Sequence, residues 1–316
     1  MKKIIKVFLL VVSVATLINC SSDNKTDLKY NRLNGKVKYI ERCYYKVTDK
    51  SGKITKGMIN DYYLVKYNKE GNIELYFEKS QAGFYKHIYK YDSLGNRIQR
   101  DNYNENGDLN SKIKAKFDAN SVLLEVSKFN IYGGIEYTYT YKYDKEGNPT
   151  EVIKSDKNGG LINKWIYKYD SNKRKIEEIQ YNNKGLLENK FTYKYDLKDN
   201  ITEKESYKQN GLYIKYIYKF DKNGNEIEIN SYNKKSELLS KWTMEYVFDK
   251  HDNWIKQTTY NNSGKAEFIN ERKIVYYGDK DENNYSKWDN KEYNGSDIEV
   301  FVPTQTETIE DIIIVD

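Results

Sequence analysis

Cysteine, proline and histidine are almost missing from this chain of 316 residues, which holds two of each. Two cysteines, Cys20 and Cys43, cannot build a disulfide framework. His87 and His251 stand far apart, with no motif around either, so a zinc centre or a His-based catalytic group has nothing to rest on. No phosphate loop, CxxC pair or Ser-His-Asp arrangement occurs. So little proline leaves a sheet ladder undisturbed, because proline cannot donate to it. Apolar residues make up 38% and charged residues 32%, a thin supply for one deep core. The run Val7 to Ile18 is short of the ~20 apolar residues that span a bilayer. Charge of one sign is not concentrated either: the formal net charge is +6, Lys2, Lys3 and Lys6 supply three of the positives, and Lys and Glu alternate elsewhere. That pattern excludes a nucleic-acid stripe.

Tyrosine fills the gap, with 33 Tyr against 10 Phe and 4 Trp. Its ring is apolar and its hydroxyl tolerates water, which suits thin, half-wet layers. The tyrosines recur. An aromatic residue followed by Asp or Asn begins at Tyr67, Tyr91, Phe117, Tyr143, Tyr169, Tyr195, Phe220 and Phe248, at steps of 24 to 28 residues. One supersecondary unit is copied along the chain. A second aromatic follows most anchors twelve residues later, at Tyr103, Phe129, Tyr181, Tyr207, Tyr232 and Tyr260, while Ser155 takes that place in one unit.

Both halves of the unit end in turns. The first reads Asp/Asn-x-x-Gly-Asn, with Asp92 and Gly95, Asp144 and Gly147, and Asp221 and Gly224 as its clearest copies. Asp caps backbone N–H groups ahead of it, and Gly supplies the left-handed residue that closes a type I turn with a bulge. Ser121, Lys173, Asp199 and Asp252 stand where Gly is expected, which predicts looser turns there. Between turns the chain alternates with period two: Tyr137, Tyr139, Tyr141 and Tyr143 share one face, and Thr138, Thr140 and Lys142 the other. Tight turns make consecutive strands antiparallel neighbours. The sequence therefore predicts an all-β fold, a long antiparallel β-meander of repeated hairpins from 36 to 277. Twist and the need to cover the aromatic face predict a superhelical or shell-like single sheet.

The pattern Tyr-x-Tyr-Asp-x-x-Gly-Asn at Tyr89 to Asn96 and Tyr141 to Asn148, with partial copies at Tyr167 to Asp170, Tyr193 to Asp196 and Tyr218 to Asn225, resembles the YD repeat of RHS-type proteins. The resemblance implies β-sheet shells on exported and cell-surface proteins, some of which encase a toxin. Here the unit is longer, with two turns, and no additional toxin domain follows the repeats.

Residues 1–19 have a basic start and an apolar centre, the form of a secretory signal peptide. Leu17-Ile18-Asn19-Cys20 resembles a bacterial lipobox, which implies lipidation of Cys20 and, with Ser21 next, the outer membrane. Residues 20–35 then form a polar tether. Residues 278–316 break the period and are an irregular tail, either a cap for the open edge of the last hairpin or a partner-binding peptide. Cys43 lies in a strand-like run as an inert thiol.

"DKNGNEIE" at 221–228 has its Gly fourth, whereas an EF-hand loop needs it sixth, so it is a turn. No metal, cofactor or catalytic residue is expected. Tyr141, Tyr167 and Trp254 are the candidate ligand contacts, set against their plainer role as the hydrophobic layer of the repeat. The expected function is a monomeric, non-enzymatic lipoprotein of the outer membrane, a binding or scaffold module for a glycan or protein. The alternatives are an immunity protein that neutralises a toxin-like partner and, less favoured, a polysaccharide-handling enzyme. No nucleic-acid partner is expected.

Overall fold

The structure, a computed structural model, describes residues 26–50, 53–80, 83–209 and 211–279. The signal segment, residues 20–25 of the tether, Cys20 among them, and nearly all of the tail lie outside the described residues, while residues 26–35 of the tether are structured. A short helix, α1 (Asp27–Tyr30), precedes the strands. The first six are β1 (Val37–Lys50), β2 (Lys53–Tyr67), β3 (Ile73–Ser80), β4 (Gly83–Tyr91), β5 (Arg97–Tyr103) and β6 (Leu109–Phe117). Then come β7 (Leu123–Asn130), β8 (Ile135–Tyr143), β9 (Pro149–Asp156), β10 (Leu161–Tyr169), β11 (Lys175–Asn182) and β12 (Leu187–Tyr195). The last are β13 (Ile201–Lys208), β14 (Gly211–Phe220), β15 (Glu226–Tyr232), β16 (Leu238–Phe248), β17 (Trp254–Tyr260) and β18 (Ala266–Tyr276).

Each strand pairs antiparallel with its neighbours in sequence, and β1 pairs with β18 as well. The all-β antiparallel meander is as expected, but the open superhelical or shell-like sheet is corrected: the ribbon closes into an 18-stranded barrel. An open ribbon would leave two rows of unpaired N–H and C=O groups. Pairing Val37–Lys46 with Phe268–Tyr276 removes both. The tail therefore has no open edge to cap. A closed barrel of this strand number encloses a lumen wide enough for water.

Period-two alternation sets the two faces. In Tyr141-Lys142-Tyr143 the tyrosines point inward and the lysine outward. Outward, Glu151 holds Lys142 and Lys164 at 2.6 and 2.5 Å, and Glu177 holds Lys168 and Lys190 at 2.6 and 2.7 Å. Glu203 holds Lys194 and Lys215, and Glu228 holds Lys219 and Lys241. Each triad spans three strands, and the triads repeat with the sequence unit. The lysines of the Tyr-Lys-Tyr/Phe-Asp runs are 56–71% exposed. A wall so charged is built for water, because charged side chains on a lipid-facing barrel surface are costly. Over β18 and β1 to β4 the outer face is apolar instead: Tyr39, Tyr62, Leu64, Phe77 and Val275 are 2–5% exposed and pack with Cys43. Burial raises the Cys43 thiol pKa.

The two turn types gather at opposite mouths. In the first, Asp92 Oδ1 accepts the N–H groups of Leu94 and Asn96 at 2.9 and 2.8 Å, and its Oδ2 accepts Asn96 Nδ2 at 2.9 Å. Asp144 and Asp221 hold Asn148 and Asn225 in the same way. Gly95, Gly147 and Gly224 take φ of +82 to +84°. Ser121, Lys173, Asp199 and Asp252 take φ of 60–63°, so these turns keep the same left-handed residue; three of them close at 3.0–3.2 Å, as the glycine turns do, and the Asp199 turn is looser, at 3.4 Å. Lys173 N–H still donates to Asp170 O at 3.0 Å. The carboxylate and the closing hydrogen bonds enforce the conformation, and the β-carbon bears the strain.

The anchor tyrosines do more than fill a layer. Tyr143 Oη donates to Leu123 O at 2.5 Å, Tyr169 to Pro149 O at 2.8 Å and Tyr195 to Lys175 O at 2.6 Å. Each tie reaches back 20 residues, joining one turn of this mouth to the next. Tyr246 makes the equivalent tie to Glu226 O at 2.7 Å. Residues 26–36 then cross this mouth. Asp27 accepts from Arg97 Nη2 at 2.8 Å and from Ile73 N–H at 2.7 Å, Arg32 Nη1 donates to Gly224 O at 2.8 Å, and Asn34 exchanges two bonds with Asn253. Those partners stand on well-separated parts of the ring.

Candidate functional site

The inner wall is aromatic but not dry. Tyr139, Tyr141, Phe191 and Met244 are buried, and Tyr167, Tyr193, Trp165 and Trp242 are half-buried. Amides and hydroxyls sit among them: Asn270, Gln257, Ser231 and Thr259. Alternation explains the mixture. The inward residues of the first half-unit are mostly aromatic, with Ile113, Ile214 and Met244 among them, and those of the second mix Gln, Asn, Ser, Thr, Lys and Glu with Val126, Val152 and Ile229. The strands pack on their ring neighbours.

The three candidate contacts divide into two places. Tyr141 and Tyr167 lie on β8 and β10 in one cluster with Val126, Val152 and Trp165. Burial raises both phenol pKa values. Tyr141 Oη is buried without a hydrogen-bond partner, while Lys175 Nζ lies 5.2 Å from the Tyr167 ring. Trp254 starts β17, on the opposite side of the ring. It faces the lumen, half-buried.

Around Trp254 lies a constellation that the sequence reading missed. Arg272 Cζ is 3.3 Å from the centre of the Trp254 ring, and Arg42 Cζ is 5.6 Å from it. The two arginines are directly paired across β1 and β18. Arg42 Nε donates to Asn270 Oδ1 at 2.8 Å, and its guanidinium also lies 5.4 Å from the Tyr63 ring. Arg272 makes no hydrogen bond or ion pair among the described residues, and its Nε is buried and unpartnered. Burial lowers the pKa of both, and for Arg272 the neighbouring Arg42 charge lowers it further. Asp61 and Glu78 are the carboxylates within electrostatic range of Arg42, while the groups acting on Arg272 are Arg42, Tyr67 and Tyr246. Glu78 nearby is engaged by Tyr76 Oη at 2.6 Å.

Arginine usage is the signal that was available. Only six of the 53 basic residues are arginine. Three are fasteners at the bridged mouth: Arg32 on Gly224 O, Arg97 on Asp27, and Arg174 on Asp170 and Asp199. The other three, Arg42, Arg100 and Arg272, face the lumen with no carboxylate within 4 Å among the described residues. Arg100 lies near His87, whose pKa is pushed down to about 3 by burial and then by the Arg100 charge.

Two other features carry less. A groove of about 370 Å³ at the bridged mouth is lined by Asp196, Lys198, Lys219 and Phe220. Its lysines are already bonded, Lys198 to Lys222 O and Lys219 to Glu228. No cluster of three metal-ligating side chains occurs among the described residues. No helix among them is long and apolar enough to cross a membrane.

No family model and no curated protein matches this chain. Solved structures with a similar fold include a porin-like protein from Bacteroides uniformis, 9% identical with a TM-score of 0.42, covering 77% of this chain and 99% of that one. A porin-like protein from Bacteroides vulgatus is 11% identical with a TM-score of 0.34, covering 77% and 98%. The TcdB2-TccC3 structure is 11% identical with a TM-score of 0.36, and covers 73% of this chain but 14% of that one. At these scores the likenesses carry no functional inference.

Proposed function

We propose that this chain is a non-enzymatic lipoprotein of the outer envelope, a YD-like repeat barrel anchored through Cys20 that binds a glycan in its lumen. The observation that carries the reading is the inner wall, where tyrosine and tryptophan rings stand among amides and hydroxyls around the ring. Sugars stack their C–H faces on such rings and bond their hydroxyls to such amides. The charged outer wall supports a barrel that stands in water beside the membrane. Cys20 precedes Thr26 by six residues, a reach of about 20 Å when extended. An anchor there would hold the bridged mouth toward the lipid and leave the opposite mouth free.

A second reading, a protein-binding role such as immunity, has one observation in its favour. Exposed apolar residues gather at that free mouth, among them Ile131, Tyr132 (90% exposed), Ile135, Leu186 and Leu238. Two measurements separate the readings. Labelled palmitate should enter the chain and be lost in Cys20→Ala. A glycan array probed with the purified protein should show saccharide binding that Trp254→Ala and Tyr167→Ala reduce. Binding to no saccharide, together with recovery of one stoichiometric protein partner that Tyr132→Asp disrupts, would transfer the assignment to the second reading.

A further inference from the structure

We propose that Arg42 and Arg272 form an oxyanion seat in the lumen wall, which receives the carboxylate or sulfate of an acidic sugar; the sugar part of this proposal rests on the function proposed above. The two residues are directly opposite across β1 and β18, where side-chain origins stand about 5 Å apart. Like charges so placed repel, and burying them without a partner is costly. Three of the other four arginines are satisfied, and only Arg100, also on the lumen, shares a buried and unpartnered Nε. Arg97 grips both oxygens of Asp27 at 2.8 Å, and Arg174 meets Asp170 at 2.8 Å. At β1 and β18 the same residue type has no carboxylate within 4 Å among the described residues.

The surroundings hold the pair in place without neutralising it. The Trp254 ring stacks against Arg272, with Cζ 3.3 Å from its centre, and such a ring contact compensates part of a guanidinium's lost hydration while leaving its donors free. Asn270 fixes Arg42 through Nε, and Gln257 Oε1 accepts from Asn270 Nδ2 at 3.3 Å. Two planar forks held side by side match the two or three oxygens of a carboxylate or sulfate better than lysines would. Tyr63 and Tyr246 flank the seat, since Tyr63 lies against Arg42 and Tyr246 lies 6.1 Å from Trp254. They offer ring faces for the sugar that carries the anion.

The test uses the purified full chain with three probes at equal ionic strength: a short oligogalacturonate, the matched neutral oligogalactoside, and sodium sulfate against sodium chloride. Calorimetry should show the acidic oligosaccharide bound at least about tenfold more tightly than the neutral one. Arg272→Gln and Arg42→Gln should each bring the two to within about twofold, leaving neutral binding as it was. Their thermal midpoints should hold or rise, because an unpaired like charge has been removed. Equal affinity of the wild type for both saccharides, or an acidic preference that survives Arg272→Gln, overturns the seat while glycan binding stands. If neither saccharide binds, sulfate decides. A sulfate-specific rise in the wild-type midpoint, absent in both variants, supports the seat and removes the glycan reading. No sulfate effect overturns both.

Discussion

Replacing Tyr143, Tyr169 and Tyr195 together by phenylalanine deletes three hydroxyls and leaves the inner layer its rings. Each hydroxyl donates to one main-chain carbonyl, of Leu123, Pro149 and Lys175, at 2.5, 2.8 and 2.6 Å. A single such bond contributes about 1 kcal/mol net. The three tyrosines end alternate strands, spaced about 10 Å apart, so the effects should add to about 3 kcal/mol. Urea unfolding followed by tryptophan fluorescence reads this as a lower midpoint at constant slope. Tyr141→Phe is the control: its hydroxyl is buried and unpartnered, so its removal should be neutral or mildly stabilising. A triple variant within about 0.5 kcal/mol of wild type, or a Tyr141→Phe variant as unstable as the triple, would refute the tie as the reason for tyrosine at these anchors.

Lys173→Gly should stabilise the protein by about 0.5–1 kcal/mol, because it relieves a side chain held at φ +62° at the cost of some chain entropy; a lower thermal midpoint would contradict the strain. Gly147→Ala, at φ +84° in open space, should cost about 1–2 kcal/mol from backbone strain alone. Lys219 Nζ, with Asn230 and Lys241 behind it, holds Glu228 down to about 2. The stability it adds is present above about pH 4.5 and is lost as pH falls toward 2. Screening limits it to about 1 kcal/mol, and Glu228→Gln should flatten that part of the acid-unfolding curve. Burial pushes Glu226 up to about 7, the opposite sign. Its folded form is favoured below about pH 4.5 and penalised as pH rises through 7, so Glu226→Gln should gain about 1–2 kcal/mol at pH 8 and nothing at pH 4.

How much of this was legible follows from which interactions are local. The run Tyr141 to Asn148 could be parsed letter by letter, because a turn, an alternation and a cap each depend on residues within four positions. The length of the meander followed from the same signals. Ser121, Lys173, Asp199 and Asp252 misled because their type reports a preference, whereas the Asp carboxylates four residues upstream of Val122, Arg174, Asn200 and Asn253 dictate the conformation. Tyrosine at the anchors reads as a layer, but its hydroxyl partner lies 20 residues back, beyond any local pattern. Closure was the largest omission. Nothing near Val37 or Tyr276 announces that the two strands meet, and the Arg42–Arg272 pair exists only because they do. Trp254 was selected for its strand, and the structure gives it a different setting, beneath a guanidinium.

The β1–β18 seam joins residues more than 200 positions apart, such as Arg42 and Asn270. Every other pairing in the barrel is a hairpin that can zip as soon as its turn forms. The seam has to wait for the whole repeat, and bringing its ends together costs about 5 kcal/mol of chain entropy. The aliphatic and aromatic residues concentrated there, Val37, Tyr39 and Ile40 against Ile274, Val275 and Tyr276, offset that cost late and all at once. While the chain is still being made, β1 is therefore a naked template for as long as β18 is still to come. Lost or delayed closure would leave that template to pair with the β18 of a second molecule, so the hazard of this architecture is domain-swapped assembly, and the apolar seam is its safeguard.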